Sequence, residues 1–160
     1  MTPWTRPWTL FIGGLLLLHF VLRLGFGLGK GMPDLLTAAA LLGAMRLRPP
    51  GAAALGLAVG IINDAASFNA FGATGFALAV VAALGALSRE YFEGSSPIFV
   101  LAYLVLGSWL SQAIARVLGR GPDGPAPYLL SGRALLIAAY TGVAGILLLS
   151  AYRGVTRERI

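Results

Sequence analysis

The sequence predicts an all-α integral membrane protein, a bundle of six transmembrane helices in a single domain. Of the 160 residues, 58% are hydrophobic and 11% are charged, whereas soluble domains carry about 25% charged residues. So few charges cannot cover the surface of a folded domain in water, so apolar side chains must face lipid. Apolar runs alternate with short loops rich in Gly, Pro and charge, which sets the helix number at six, with five as the alternative.

Each predicted helix is an apolar run bounded by turn-forming or charged residues. Trp4 precedes the first run and Trp8 begins it, where an interfacial aromatic belt would lie. Asp34 suits the positive N-terminal end of the second helix. The second and third runs are short for full spans, so tilting, a re-entrant path or a thinned bilayer are alternatives for them. The six predicted helices cover residues 8–25, 33–47, 52–68, 71–87, 97–118 and 128–152.

Composition restricts the possible chemistry. The chain has no cysteine and one histidine, His19, which excludes disulfides, thiolate metal sites and any site that needs two histidines. The net charge of +6 is explained by loop residues that set topology and meet acidic lipid headgroups, with no nucleic-acid partner. The basic turn RLRPPG and the basic C-terminal tail fall on one side of a six-helix topology, which predicts both termini in the cytoplasm.

A stripe of small residues marks a packing face in the third predicted helix. Helices in lipid associate through close backbone approach, which small residues permit. The stripe recurs at four-residue steps and leads into a polar pair and a glycine-containing turn; its members are Ala52, Gly56, Gly60 and Asp64, followed by Gly72 and Gly75. We expect the third and fourth helices to pack closely against each other through this face.

Asp64 is the carboxylate that most needs an explanation. A charge at the bilayer centre costs about 2.5–3.5 kcal/mol on insertion scales. The residues alone favour a solvated helix end, or a group that caps the following turn. The alternative is a buried anchor paired with an arginine, for which Arg23, Arg116 and Arg133 are candidates. Asp34 has the simpler interpretation of an acid in the first turn of a helix.

The remaining polar residues within the apolar runs are few. His19 and Arg23 share a helix face, as do Gln112 and Arg116, and Asn63 directly precedes Asp64. No nucleophile elbow, phosphate-binding loop or metal-ligand cluster is recognisable in the sequence. We therefore predict a non-enzymatic protein without a cofactor.

Two short patterns resemble the bacterial rod shape-determining protein MreD family. One is the Pro33-Asp34 pair that opens the second helix. The other begins with Gly60 and Asp64 and continues through a polar turn into Phe71-Gly72 and Gly75, at the start of an Ala-rich helix. The chain length and hydropathy are also similar to those of the family.

The resemblance implies a non-enzymatic inner-membrane subunit of the cell-elongation complex. Such a subunit binds MreC as its main partner and acts with MreB, RodA and the transpeptidase partner of RodA in lateral peptidoglycan synthesis. The implied fold is similar to the six-helix substrate-binding subunits of energy-coupling-factor transporters, so a small-solute, vitamin-type transporter subunit is the alternative function. Homo-oligomerisation stays open. The candidate structural or partner-binding residues are Asp34, Gly56, Gly60, Asn63, Asp64, Gly72, Gly75 and Arg116.

Overall fold

The described part of the chain consists of six helices without a β-strand. A computed structural model describes residues 5–25, 34–67, 72–88, 97–119 and 132–156. The helices are α1 (Arg6–Gly25), α2 (Leu35–Ala44), α3 (Pro49–Ser67), α4 (Ala73–Ser88), α5 (Pro97–Leu118) and α6 (Gly132–Thr156). The all-helical architecture with six helices is as predicted.

The observed helix bounds match the predicted bounds for α5 and differ from them for α2 and α3. α5 has the predicted bounds. α3 begins three residues earlier than predicted, at Pro49, because proline suits the first position of a helix as well as the end of the preceding one. α2 is shorter than predicted, since it ends at Ala44 and Met45 forms its C-cap. Pro33, predicted as its first residue, lies outside the described residues.

α2 lies at the centre of the bundle. All ten of its residues are buried, and it contacts each of the other five helices. Ten residues of α-helix measure about 15 Å, half of the roughly 30 Å hydrocarbon thickness of a bilayer. α2 is therefore a short interior helix, and the five longer helices surround it.

The outer surface of the bundle is apolar. α5 and α6 are long and apolar enough to cross a membrane by length and composition, and α2 and α4 are shorter apolar helices. Large hydrophobic side chains are exposed on all five outer helices; examples are Leu10, Leu17, Ile62, Phe76, Leu106, Leu136 and Leu147. Apolar surface on this scale is typical of a protein that contacts lipid or another protein.

α3 and α4 pack with their backbones in contact. A Cβ atom on Gly56 would lie 2.5 Å from the carbonyl oxygen of Leu78, and one on Gly60 would lie 2.5 Å from the amide nitrogen of Gly75. Both distances are shorter than real Cβ contacts, and the neighbouring atoms belong to the main chain. The glycines of the small-residue stripe therefore set how closely these two helices approach.

Glycines also bring α5 and α6 close to their neighbours. Gly107 of α5 faces the side chain of Leu41 in α2, and Gly142 of α6 faces Val105 of α5. In both places the nearest atoms belong to side chains, which can move more easily than the main chain can. The α3–α4 pair is therefore the least adjustable contact of the bundle.

Substitution of Gly60 by alanine is expected to destabilise the protein by about 1–3 kcal/mol, as overpacking usually does. The matched control is Gly14→Ala, because Gly14 lies on an exposed face of α1 with no atom near its missing Cβ. That change should raise stability by about 0.5–1 kcal/mol through helix propensity. Thermal unfolding of the purified protein in detergent measures both effects. Equal unfolding midpoints for the two variants would contradict the proposed packing.

Candidate functional site

The carboxylate of Asp64 caps the start of α4. Asp64 belongs to the last turns of α3 and is 1% exposed. The backbone N–H groups of Gly72 and Thr74 donate hydrogen bonds to its Oδ2 at 2.9 and 3.0 Å, and that of Gly75 donates at 3.5 Å. The carboxylate thus ties the two helices of the hairpin together across the turn.

The residues at the turn explain why an aspartate is needed in α3. The first N–H groups of a helix lack intrahelical acceptors, and a side chain at the N-cap usually supplies one. Here Gly72 precedes α4, has a φ of 93° that favours glycine, and offers no side-chain oxygen. Asp64 provides the missing acceptor from the preceding helix, and its negative charge suits the positive end of α4.

This geometry decides between the interpretations of Asp64. It caps the following turn, as one prediction had it, but the expected solvation is wrong because the side chain is buried. The alternative of an arginine partner is wrong as well, because the hydrogen-bond partners of Oδ2 are backbone amides. The other carboxylate oxygen, Oδ1, is buried without a hydrogen-bond partner.

Asn63, the neighbour of Asp64, connects α3 to α1. The Nη1 atom of Arg23 donates a hydrogen bond to Oδ1 of Asn63 at 2.9 Å. Arg23 therefore points to a neighbouring helix. The contact lies beside the capped hairpin and joins the end of α1 to the same end of the bundle.

A second polar junction surrounds the start of α2. Asp34 is the N-cap of this helix, where the prediction placed it in the first turn. Its Oδ1 accepts from the N–H of Thr37 at 3.1 Å and its Oδ2 accepts from the hydroxyl of Thr37 at 2.6 Å. The N–H of Asp34 donates to Oγ1 of Thr141 in α6 at 2.9 Å. Nδ1 of His19 lies 4.0 Å from Oδ1 of Asp34.

The junction around Asp34 lies inside the bundle, away from the ends of α1 and α6. Thr141 follows Gly132, the first residue of α6, by nine positions, which corresponds to about 13 Å of helix. His19 precedes Gly25, the last residue of α1, by six positions, or about 9 Å. α2 therefore begins inside the bundle, and its first turn depends on protein groups for its hydrogen bonds.

The Arg23–Asn63 contact and the junction at the start of α2 together form a polar layer. This layer joins α1, α2, α3 and α6. His19 and Arg23 lie four residues apart on α1 and contact Asp34 and Asn63 respectively, while Thr141 adds α6. The layer is suited to positioning helices. Within the described ranges no group of three or more His, Cys, Asp or Glu residues could hold a metal ion.

Arg116 lies apart from this layer. It is exposed in the last turn of α5. Gln112, which shares its helix face, donates to Oγ of Ser108 at 3.3 Å within α5. The structure therefore does not bring Arg116 to Asp64 or Asp34. The glycine candidates, in contrast, lie in the α3–α4 hairpin beside Asp64.

An apolar cavity of about 470 Å³ lies between α4 and α5, a feature that the sequence interpretation missed. Its lining includes Gly85 and Gly107, and the ring of Tyr103 lies against Gly85. The hydroxyl of Tyr103 donates to the carbonyl of Leu41 in α2 at 3.4 Å.

Comparisons with known proteins add no relative to these observations. No protein-family model matches the chain, and no curated protein or solved structure matches it significantly. A function for the chain therefore has to be argued from its own residues and their arrangement.

Replacing Asp64 by alanine is expected to cost about 3 kcal/mol or more, because each buried N–H group left without an acceptor costs about 1–3 kcal/mol. Asp64→Asn keeps one acceptor oxygen and should lie between that variant and the wild type. Asp34→Ala should cost about 1 kcal/mol, the usual value for an N-cap. Thermal unfolding in detergent ranks the three variants. Equal losses for the two alanine variants would contradict the capping role of Asp64.

Proposed function

We propose that the chain is a membrane-embedded helical scaffold of the MreD type, a non-enzymatic subunit of the bacterial cell-elongation complex that binds MreC. The observation that carries the proposal is the role of Asp64. The pattern that resembles the family most closely, from Gly60 through Asp64 to Gly75, coincides with the least adjustable contact of the bundle. Both the aspartate and its glycines thus have a defined structural purpose.

The second pattern of the resemblance supports the same proposal. Asp34 caps α2, and α2 is the helix that all the others surround. A change at either aspartate would alter how the outer helices are arranged, and hence the surface offered to a partner. In a scaffold, residues of this kind are more important than reactive groups.

A location in the inner membrane with both termini in the cytoplasm is part of the proposal. Two helices of sufficient length and apolarity support it, as does the apolar outer surface of five helices. The five outer helices, with α2 enclosed among them, would then present their large apolar side chains to lipid or to the transmembrane helix of a partner.

The orientation can be tested by labelling, because the chain has no cysteine of its own. Arg48→Cys, in the turn before α3, and Arg133→Cys, at the start of α6, are matched substitutions of exposed arginines. In intact cells a membrane-impermeant maleimide should modify position 133 from the periplasm, and position 48 only after permeabilisation. The reverse pattern would invert the topology, and equal labelling of both positions in intact cells would contradict a spanning bundle.

The proposed function predicts a stable complex with MreC. Co-expression followed by affinity purification in mild detergent should recover MreC with the tagged chain, but not with an unrelated tagged membrane protein of similar size. Depletion of the chain in its host should convert rods into spheres. Unchanged cell shape together with no recovery of MreC would refute the proposal.

The alternative function is a small-solute-binding subunit of a vitamin-type transporter. One observation favours it: the polar layer around His19, Asp34, Arg23 and Asn63 lies inside an apolar bundle, where polar groups often mark a binding site. A vitamin or similar solute that co-purifies with the chain, and uptake that depends on an energising module, would support this alternative.

A further inference from the structure

α1 covers the side of the bundle that the other outer helices leave open. α3 packs on α4, α4 on α5, and α5 on α6, whereas α3 and α6 share no extended contact. α1 packs on α2, and its side chains reach both edges of this gap. Near its start, Trp8 and Phe11 contact the ring of Tyr152 in α6. Near its end, Arg23 donates to Asn63 in α3.

The two halves of α1 are buried to different extents. Trp8, Ile12 and Leu15 of the first half are at most 3% exposed, and they belong to the largest core cluster together with Leu42 of α2. Between residues 16 and 23, in contrast, no side chain is fully buried. Local opening costs least where few buried apolar contacts are lost. The second half of α1 is therefore the half that separates most easily from the bundle.

Two adjacent glycines lie between the halves. Gly13 and Gly14 are exposed, and a Cβ atom on either would meet nothing within 4 Å. They differ in this from Gly56, Gly60 and Gly107, whose missing side chains let neighbouring helices approach. Helix packing therefore does not explain glycine at positions 13 and 14. Glycine weakens a helix, and paired small residues are a usual site of bending.

The second half of α1 also covers the polar layer. Nδ1 of His19 lies 4.0 Å from Oδ1 of Asp34, and Nε2 of His19 is buried without a hydrogen-bond partner. One turn further along, Arg23 supplies the contact with Asn63. Movement of this half away from α3 would carry both α1 residues out of the layer and uncover the start of α2.

We propose that α1 bends at Gly13-Gly14 and that its second half, residues 16–25, is a strap that opens and closes over the start of α2. The first half stays anchored by its buried core residues. The hydrogen bond between Arg23 and Asn63 holds the strap closed. Opening exposes the polar layer to the gap between α3 and α6. This inference concerns the bundle alone and is independent of MreC.

The test measures the position of each half of α1 relative to α5, which shares no extended contact with α1. The chain has no cysteine of its own, so spin labels can be attached at chosen exposed positions. Leu106 of α5 is the common reference, paired with Val21 in the strap or with Leu10 in the first half. Double electron–electron resonance on the full-length protein in neutral detergent should give one distance for the Leu10 pair. The Val21 pair should give two, the longer one from the open strap.

Substitutions in α1 should shift the two populations of the Val21 pair in opposite directions. Arg23→Gln should raise the ratio of open to closed strap about tenfold, the factor expected for loss of a charge-assisted hydrogen bond. Gly13→Ala together with Gly14→Ala should lower the ratio about fivefold, since alanine favours the straight helix. The ratio refers to folded molecules, so a change in overall stability does not alter it.

The matched controls are Arg6→Gln and Gly154→Ala. Arg6 is an exposed arginine in the first half of α1, and Gly154 is a glycine of α6 with open space around its missing Cβ, so neither change should move the ratio. Equal distance distributions for the two label pairs, in the wild type and in Arg23→Gln, would overturn the proposal. A second population that the double glycine substitution leaves unchanged would overturn it as well, because the bend would then lie elsewhere.

Discussion

The arrangement of the whole bundle depends on the burial of α2. A helix that is enclosed along its full length cannot give its terminal N–H and C=O groups to water, so the surrounding protein must pair them. At the start of α2, the carboxylate of Asp34 accepts from the N–H and the hydroxyl of Thr37, and Thr141 accepts the N–H of Asp34. At the other end the N–H of Met45 returns to carbonyls of the last turn. Of the outer helices, α6 supplies one of these partners through Thr141 and is thereby joined to the start of α2.

The charged side chains lie at the helix ends where the helix dipoles favour them. Asp34 and Asp64 lie at the N-terminal ends of α2 and α4, whereas Arg46 and Arg153 follow or occupy the C-terminal ends of α2 and α6. Acids at positive helix ends and bases at negative ends are each favourable. Since α2, α4 and α6 run in the same direction, this rule places the two acids at one end of the bundle and these two arginines at the other.

Local patterns in the sequence predicted the helices but not the pairing of their polar groups. The bounds of α5 and the close face of α3 followed from hydropathy and small-residue spacing. For Asp64 the sequence left solvation, capping of the following turn and an arginine partner open, because the direction of the Gly72 amide depends on the path of the turn. Contacts such as that of Arg46 with Trp8 join residues far apart in sequence, and no periodicity within a helix encodes them. The length of α2 was overestimated because its apolar run continues into the turn after Ala44.

The hydrogen bond between Asp34 and Thr141 has a consequence for the order of biosynthesis. Its two residues are 107 positions apart, and Thr141 belongs to α6, which is synthesised after the other five described helices. Until α6 is made, the N–H of Asp34 lacks its acceptor, Thr141, and a helix of about 15 Å is half as long as the hydrocarbon layer of a bilayer is thick. The central helix of the bundle is therefore among the last to reach its final surroundings, and a nascent chain that stops before α6 leaves this element unprotected.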